Sequence, residues 1–231
     1  MPYPFSVNTG TETLEGTIYD RANVEPSLLF LHGAGGSDQK RVSYLAKQMI
    51  TKKISSVSFD FSGHGKSTGK LEESSLQKRY NEVCDVSPFI NTEESITLCG
   101  TSMGGYLAVK MLSYFHNVHT LLLYCPAIYS KDAFDVPFTD EFSKILQTEN
   151  SWKNTDIIEN MKKFTGNVFI IIGQKDEVIP KGVIDLYMNS FEKAYHKELI
   201  IVAHADHQIH KYLQNNKNEQ NRIFKKIQKF L

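Results

Sequence analysis

The sequence predicts an α/β fold, a mostly parallel sheet covered on both faces by helices. Three observations carry this. Short continuous apolar runs recur along the chain, each of the length of a strand buried on both faces. Amphipathic stretches with apolar residues three and four apart separate them. Strand alternating with helix in this way builds a parallel sheet. Finally, turns bearing Gly, Ser, Asp and His follow the runs at once, and in such sheets the ligand site lies beyond the carboxyl ends of the strands.

The elements follow in order. Residues 6–20 alternate weakly around Asn8-Thr9-Gly10 and read as an antiparallel hairpin at a sheet edge. Residues 27–31 are an apolar strand, followed directly by His32-Gly33-Ala34-Gly35-Gly36-Ser37. Val42, Leu45, Ala46, Met49 and Ile50 then mark a helix. Residues 55–59 form the next strand, running into Asp60-Phe61-Ser62-Gly63-His64-Gly65-Lys66-Ser67. Leu76, Tyr80, Val83 and Cys84 share a helix face that Pro88 bends or ends. Residues 96–99 are a strand before Gly100-Thr101-Ser102-Met103-Gly104, and Leu107, Met111, Tyr114 and Phe115 mark the helix after it. Residues 120–124 are again fully apolar. Residues 126–166 break the alternation, are more polar and hold helical patterns near 142–146 and 157–164. They read as an insertion over the sheet, too short for a second domain. Strands at 168–172 and 199–202 flank a helix marked by Val183, Leu186, Tyr187 and Phe191, and residues 209–231 read as helical. The expected organisation is one domain over 1–231 with a cap insertion at about 126–166.

Composition bounds the function. The 231 residues suffice for one sizeable core. Lys plus Arg equals Asp plus Glu at 26 each, so there is no electrostatic footprint for nucleic acid or an acidic membrane. Neither a signal peptide nor a run long enough to cross a bilayer is visible. Cys84, Cys99 and Cys125 are odd in number with no paired spacing, and read as thiols of a reducing compartment. Together these predict a cytoplasmic location.

Gly-x-Ser-x-Gly between a strand and a helix is a nucleophile elbow. The turn holds its serine strained, with the hydroxyl raised above the sheet. The glycines stand where side chains would strike the neighbouring strand and helix. A serine hydroxyl needs a base within hydrogen-bond reach, in the usual form a histidine oriented by a carboxylate. The elbow topology sets the order Ser, acid, His. Asp176 follows the 168–172 strand and is the chosen acid, with Glu177, Asp132 and Asp135 as alternatives. His207 is preferred over His204 as the base, because it lies in the loop proper. His204, Asp206, His207 and His210 also have the composition of a zinc cluster, a reading that leaves the elbow unexplained. The expected oxyanion donors are the backbone N–H groups of Met103 and Ala34. The Gly-rich loop lacks the endings of phosphate-binding loops and of dinucleotide fingerprints.

Taken together, His32 to Ser37, Asp60 to Ser67, Gly100 to Gly105, Gly173-Gln174-Lys175-Asp176 and Ala205-Asp206-His207 resemble the α/β-hydrolase superfamily, in its order and across most of the chain. The Asp-Phe-Ser-Gly-His-Gly form is most similar to the small esterase branch of cinnamoyl esterases and monoglyceride lipases. That branch usually carries His or Gln in the elbow, where this chain has Thr101 and Met103. The resemblance implies about eight strands, Ser102 as nucleophile, Asp176 as acid, His207 as base, and neither metal nor cofactor. The expected function is hydrolysis of a small carboxylic ester or thioester through an acyl-enzyme. Amide or peptide hydrolysis, perhydrolysis and non-catalytic binding are the alternatives. Phe134, Val136, Pro137, Phe138, Phe142 and Trp152 of the insertion either line an acyl pocket or pack the insertion onto the core.

Overall fold

Eight strands form one sheet in the order β1-β2-β4-β3-β5-β6-β7-β8 in the computed structural model, which describes residues 2–20 and 24–231. β1 (Pro2–Asn8) and β2 (Thr13–Tyr19) are the antiparallel hairpin at one edge, and β2 pairs antiparallel with β4 (Ser56–Phe59). From there β3 (Leu28–Leu31), β5 (Ile96–Thr101), β6 (Val118–Tyr124), β7 (Asn167–Gly173) and β8 (His196–Val202) run parallel. The chain steps from β3 to β4 on one side and to β5 on the other. The strand order therefore reverses at β3, and the turns after β3 and β5 meet in the crevice this leaves.

Continuous apolar strands work here because successive side chains serve opposite faces. Leu29 and Leu31 of β3, with Leu121 and Leu123 of β6, join one core, and Leu28, Phe30, Leu122 and Tyr124 join the other. The first core packs under α2 (Leu76–Val86), α3 (Met103–Lys110), α5 (Ile158–Lys163) and α6 (Lys181–Ser190). The second packs under α1 (Ser43–Thr51), α7 (Ile209–Gln214) and α8 (Lys217–Ile227). Each leucine or isoleucine so buried contributes roughly 1.5–3 kcal/mol.

The structure alters two sequence expectations and decides between the two readings of a third. Residues 209–231 are two helices and a final 3-10 turn, because the Asn216 side chain accepts the Glu219 N–H and starts α8 afresh. The helix after Ser102 ends at Lys110 and tightens into a 3-10 turn over Met111–Ser113. Residues 126–166 contain α4 (Asp140–Gln147) and α5 where the patterns fall. Phe134, Phe138, Phe142 and Trp152 pack against the first core. Among the described residues, no helix is long and apolar enough to cross a membrane.

Candidate active site

Ser102 sits at the break between β5 and α3 with φ 51° and ψ −113°. Such a conformation costs a non-glycine residue roughly 1–3 kcal/mol and persists only where the surroundings hold it. Here its N–H donates to Tyr124 O at 2.9 Å, and its carbonyl accepts from Gly105 N at 2.9 Å and Ala127 N at 3.0 Å. The flanking glycines answer to close packing. A Cβ on Gly104 would lie 2.1 Å from Leu31 O, and one on Gly100 would lie 2.1 Å from Gly104 O. The elbow thus rests directly on the end of β3.

The loop after β8 brings His207 Nε2 to 3.2 Å from Ser102 Oγ. The turn after β7 brings Asp176 Oδ2 to 2.9 Å from His207 Nδ1. A carboxylate only accepts, so the imidazole proton resides on Nδ1, and Nε2 is free to accept from the serine hydroxyl. Burial by itself would raise the Asp176 pKa. The bond from His207, the Ile179 N–H and the Cys125 thiol outweigh it and hold the carboxyl below its ordinary value. The Val178 N–H, at 2.9 Å from Oδ1, further fixes the carboxylate. His204 points elsewhere: it is exposed, and its backbone N–H donates to Gln174 Oε1. Asp132 bonds Asn154 within the insertion.

Met103 is the first residue of α3, so its N–H has no acceptor in the helix. The Ala34 N–H likewise makes no hydrogen bond among the described residues, and Ala34 lines the same cavity as Ser102. Gly33 brings that loop to the nucleophile, since a Cβ there would stand 3.3 Å from Ser102 Cβ. His32 shapes the loop. Its Nδ1–H donates to Gly33 O at 2.6 Å and its Nε2 accepts from Phe61 N at 3.0 Å, and burial lowers its pKa to about 3. Asp60 is the anchor of the neighbouring turn, accepting from Gln39 N at 2.8 Å and Lys66 N at 3.0 Å.

Sequence reasoning missed several residues here. His210, read as a possible metal ligand, instead packs beside the elbow, with Nε2 2.7 Å from Thr101 Oγ1 and Nδ1 3.0 Å from Tyr44 OH. Burial, and after it the Arg41 charge, lowers its pKa to about 3, so the ring is neutral. Cys125 follows β6 directly, is fully buried, and has its Sγ within 4.8 Å of Asp176 and His207 ligand atoms. Its place just past a strand end was the signal that could have found it. The cavity over Ser102, about 410 Å³ in volume, is lined by Tyr129, Val178 and Arg41 as well as by the loops already named. None of the six apolar insertion residues considered for an acyl pocket lines it.

The sheet order, the elbow at its centre and the crevice above it define an α/β hydrolase. A model of the family described as serine aminopeptidase, S33, matches residues 22–155, and the chain belongs to that family. The match covers more than half of the chain and contains Ser102, while Asp176 and His207 lie beyond it. Solved structures show the same fold. Alpha/beta hydrolase domain-containing protein 10 from mouse is 16% identical with a TM-score of 0.70, over 96% of this chain and 99% of that one. Est1E from Butyrivibrio proteoclasticus, solved with ferulic acid, is 18% identical with a TM-score of 0.70, over 94% and 99%. The Pyrococcus furiosus esterase Pf2001 is 16% identical with a TM-score of 0.70, over 100% and 93%.

Proposed function

We propose that this hydrolase cleaves carboxylic esters or thioesters through an acyl-enzyme on Ser102. The observation that carries the reading is the unbroken hydrogen-bonded line from Ser102 Oγ through His207 to Asp176, built on a strained elbow. Ser102 Oγ attacks the acyl carbon while its proton passes to His207 Nε2. Asp176 orients the imidazole and stabilises its charged form. The Met103 and Ala34 N–H groups receive the oxyanion, each worth about 100- to 1000-fold in turnover. His207 returns the proton to the departing alcohol or thiol. Water, deprotonated by the same imidazole, then releases the acid and restores Ser102. The chain acts as one domain, with 126–166 as its cap, and its three unpaired thiols fit a reducing compartment. In Ser102→Ala, turnover of a short p-nitrophenyl ester should vanish while the melting temperature stays near that of the parent. Retained turnover rejects Ser102 as nucleophile.

The family description favours one second reading, removal of an amino-terminal residue from a peptide. Such a substrate presents a cationic amine, and enzymes that hold one need a carboxylate near it. No Asp or Glu lines the Ser102 cavity among the described residues, whereas Arg41 does. An aminoacyl p-nitroanilide turned over faster than the matched ester would reverse this preference.

A further inference from the structure

Among the described residues, Arg41 pairs with no carboxylate, and it borders the reaction centre. It lies in the 3-10 turn Gln39–Val42, just past the Gly-rich loop, and lines the cavity over Ser102. The other two described arginines each pair with a carboxylate, Arg79 with Glu82 and Arg222 with Glu219. Arg41 instead donates from Nη1 to Gln208 Oε1 at 2.7 Å and from Nη2 to Gly36 O at 3.2 Å. Both acceptors are neutral, so they fix the guanidinium without cancelling its charge. A guanidinium has five N–H donors, and two such bonds leave the remainder of the fork for a ligand. Gln208 adjoins His207, and Gly36 belongs to the loop that carries Ala34. The charge is therefore held at the junction of the two loops that flank Ser102. No Asp or Glu lines the cavity among the described residues, and the two lining imidazoles besides are His207 and the neutral His210.

We propose that the substrate is an ester carrying an anionic group, carboxylate or phosphate, and that Arg41 binds that group. The proposal rests on the esterase reading for the position of the scissile bond. A fixed guanidinium makes short, charge-assisted and often bidentate bonds to such groups. Because Arg41 is partly exposed, solvent screens part of this gain. The expected preference is about tenfold at low salt.

The test compares matched neutral and anionic esters on the full chain. Ethyl hydrogen glutarate against ethyl pentanoate places the charge on the acyl side. Butanoyl esters of 4-hydroxybenzoate and of 4-hydroxyphenyl phosphate, against that of methyl 4-hydroxybenzoate, place it on the alcohol side and separate carboxylate from phosphate. At least one anionic member should exceed its neutral partner about tenfold in kcat/KM. Arg41→Gln should bring that ratio close to unity, and Arg41→Lys should retain part of it. Ratios within one protein cancel any general loss of activity in a variant. A parent protein indifferent to charge in every pair, or a preference that survives Arg41→Gln, overturns the proposal. Calorimetric binding of the glutarate and pentanoate esters to Ser102→Ala, with and without Arg41→Gln, gives a readout free of turnover. Arg41-dependent binding of the anion in a protein that hydrolyses no ester would remove the esterase reading alone. Turnover of neutral esters with no anionic preference would remove this proposal alone.

Discussion

Replacing His210 with Phe tests whether the elbow is braced by a neutral imidazole beside it. The ring is 4% exposed and packs 4.6 Å from the Tyr124 ring, so Phe keeps most of the apolar contact. It removes the bonds to Thr101 Oγ1 and Tyr44 OH. Each lost bond costs about 1 kcal/mol, or about 2 kcal/mol together near pH 7.5. The cost depends on pH in a defined direction. The folded pKa of about 3 lies below the ordinary 6.5, so the unfolded chain takes up a proton that the folded chain refuses. Stability from this residue is complete above pH ~6.5 and declines as pH falls towards the folded value. Between about pH 7.5 and about pH 5 the parent loses about 2 kcal/mol through His210 alone, and the variant does not. The variant's deficit should therefore close near pH 5. Urea unfolding at the two pH values, followed by the fluorescence of the single tryptophan Trp152, measures it. Every other histidine is common to both proteins and cancels. A deficit of equal size at both pH values refutes the neutral state, and the absence of a deficit at pH 7.5 refutes the bracing.

Two further substitutions probe the reaction centre. Asp176→Asn should lower kcat by about 1000- to 10,000-fold, since the amide no longer holds the proton on Nδ1, and a loss under tenfold on a p-nitrophenyl ester would contradict the assigned role. Gly104→Ala drives a Cβ into Leu31 O, Leu31 C and His32 O, all backbone, so α3 must lift from β3. It should cost about 1–3 kcal/mol in thermal unfolding and reduce turnover by displacing the Met103 N–H, and an unchanged melting temperature would count against that contact.

The strands were readable because each is a short apolar run whose neighbours in sequence feed both cores, a pattern independent of distant packing. The turns after β3, β5, β7 and β8 were readable because their glycines, serine, aspartate and histidine follow strand ends directly. What escaped depends on contacts far apart in sequence. The facing of Phe134, Phe138 and Phe142 is set by the core beneath them. His210 stands three residues from His207, and short spacing suggested shared ligands. In the fold, the positive φ of 65° at His204 and the start of α7 at Ile209 turn the three rings in separate directions. Arg41 was invisible because a charged residue beside a helix start is ordinary, and its lack of a carboxylate partner among the described residues is a property of space.

The insertion bears on what the cavity can select. Asp156 accepts from Tyr106 OH at 3.0 Å and pairs with Lys110, and Asn160 donates to Val109 O at 3.1 Å. Gln77 N bonds Phe134 O, and Phe138 N bonds Ser74 O. The segment is thus fastened to α3 and to the start of α2, with Phe134, Phe138, Phe142 and Trp152 packed against the core. None of those four rings lines the Ser102 cavity, where the large apolar side chains are Tyr129, Val178 and Ile209. Each further methylene buried yields about 0.8 kcal/mol only while there is apolar surface to meet it. Three side chains at an open cleft exhaust that gain within a few carbons, whereas a fixed charge discriminates by sign whatever the length. On the proposed function, selectivity in this site would reside more in the polar end of the substrate than in its hydrocarbon.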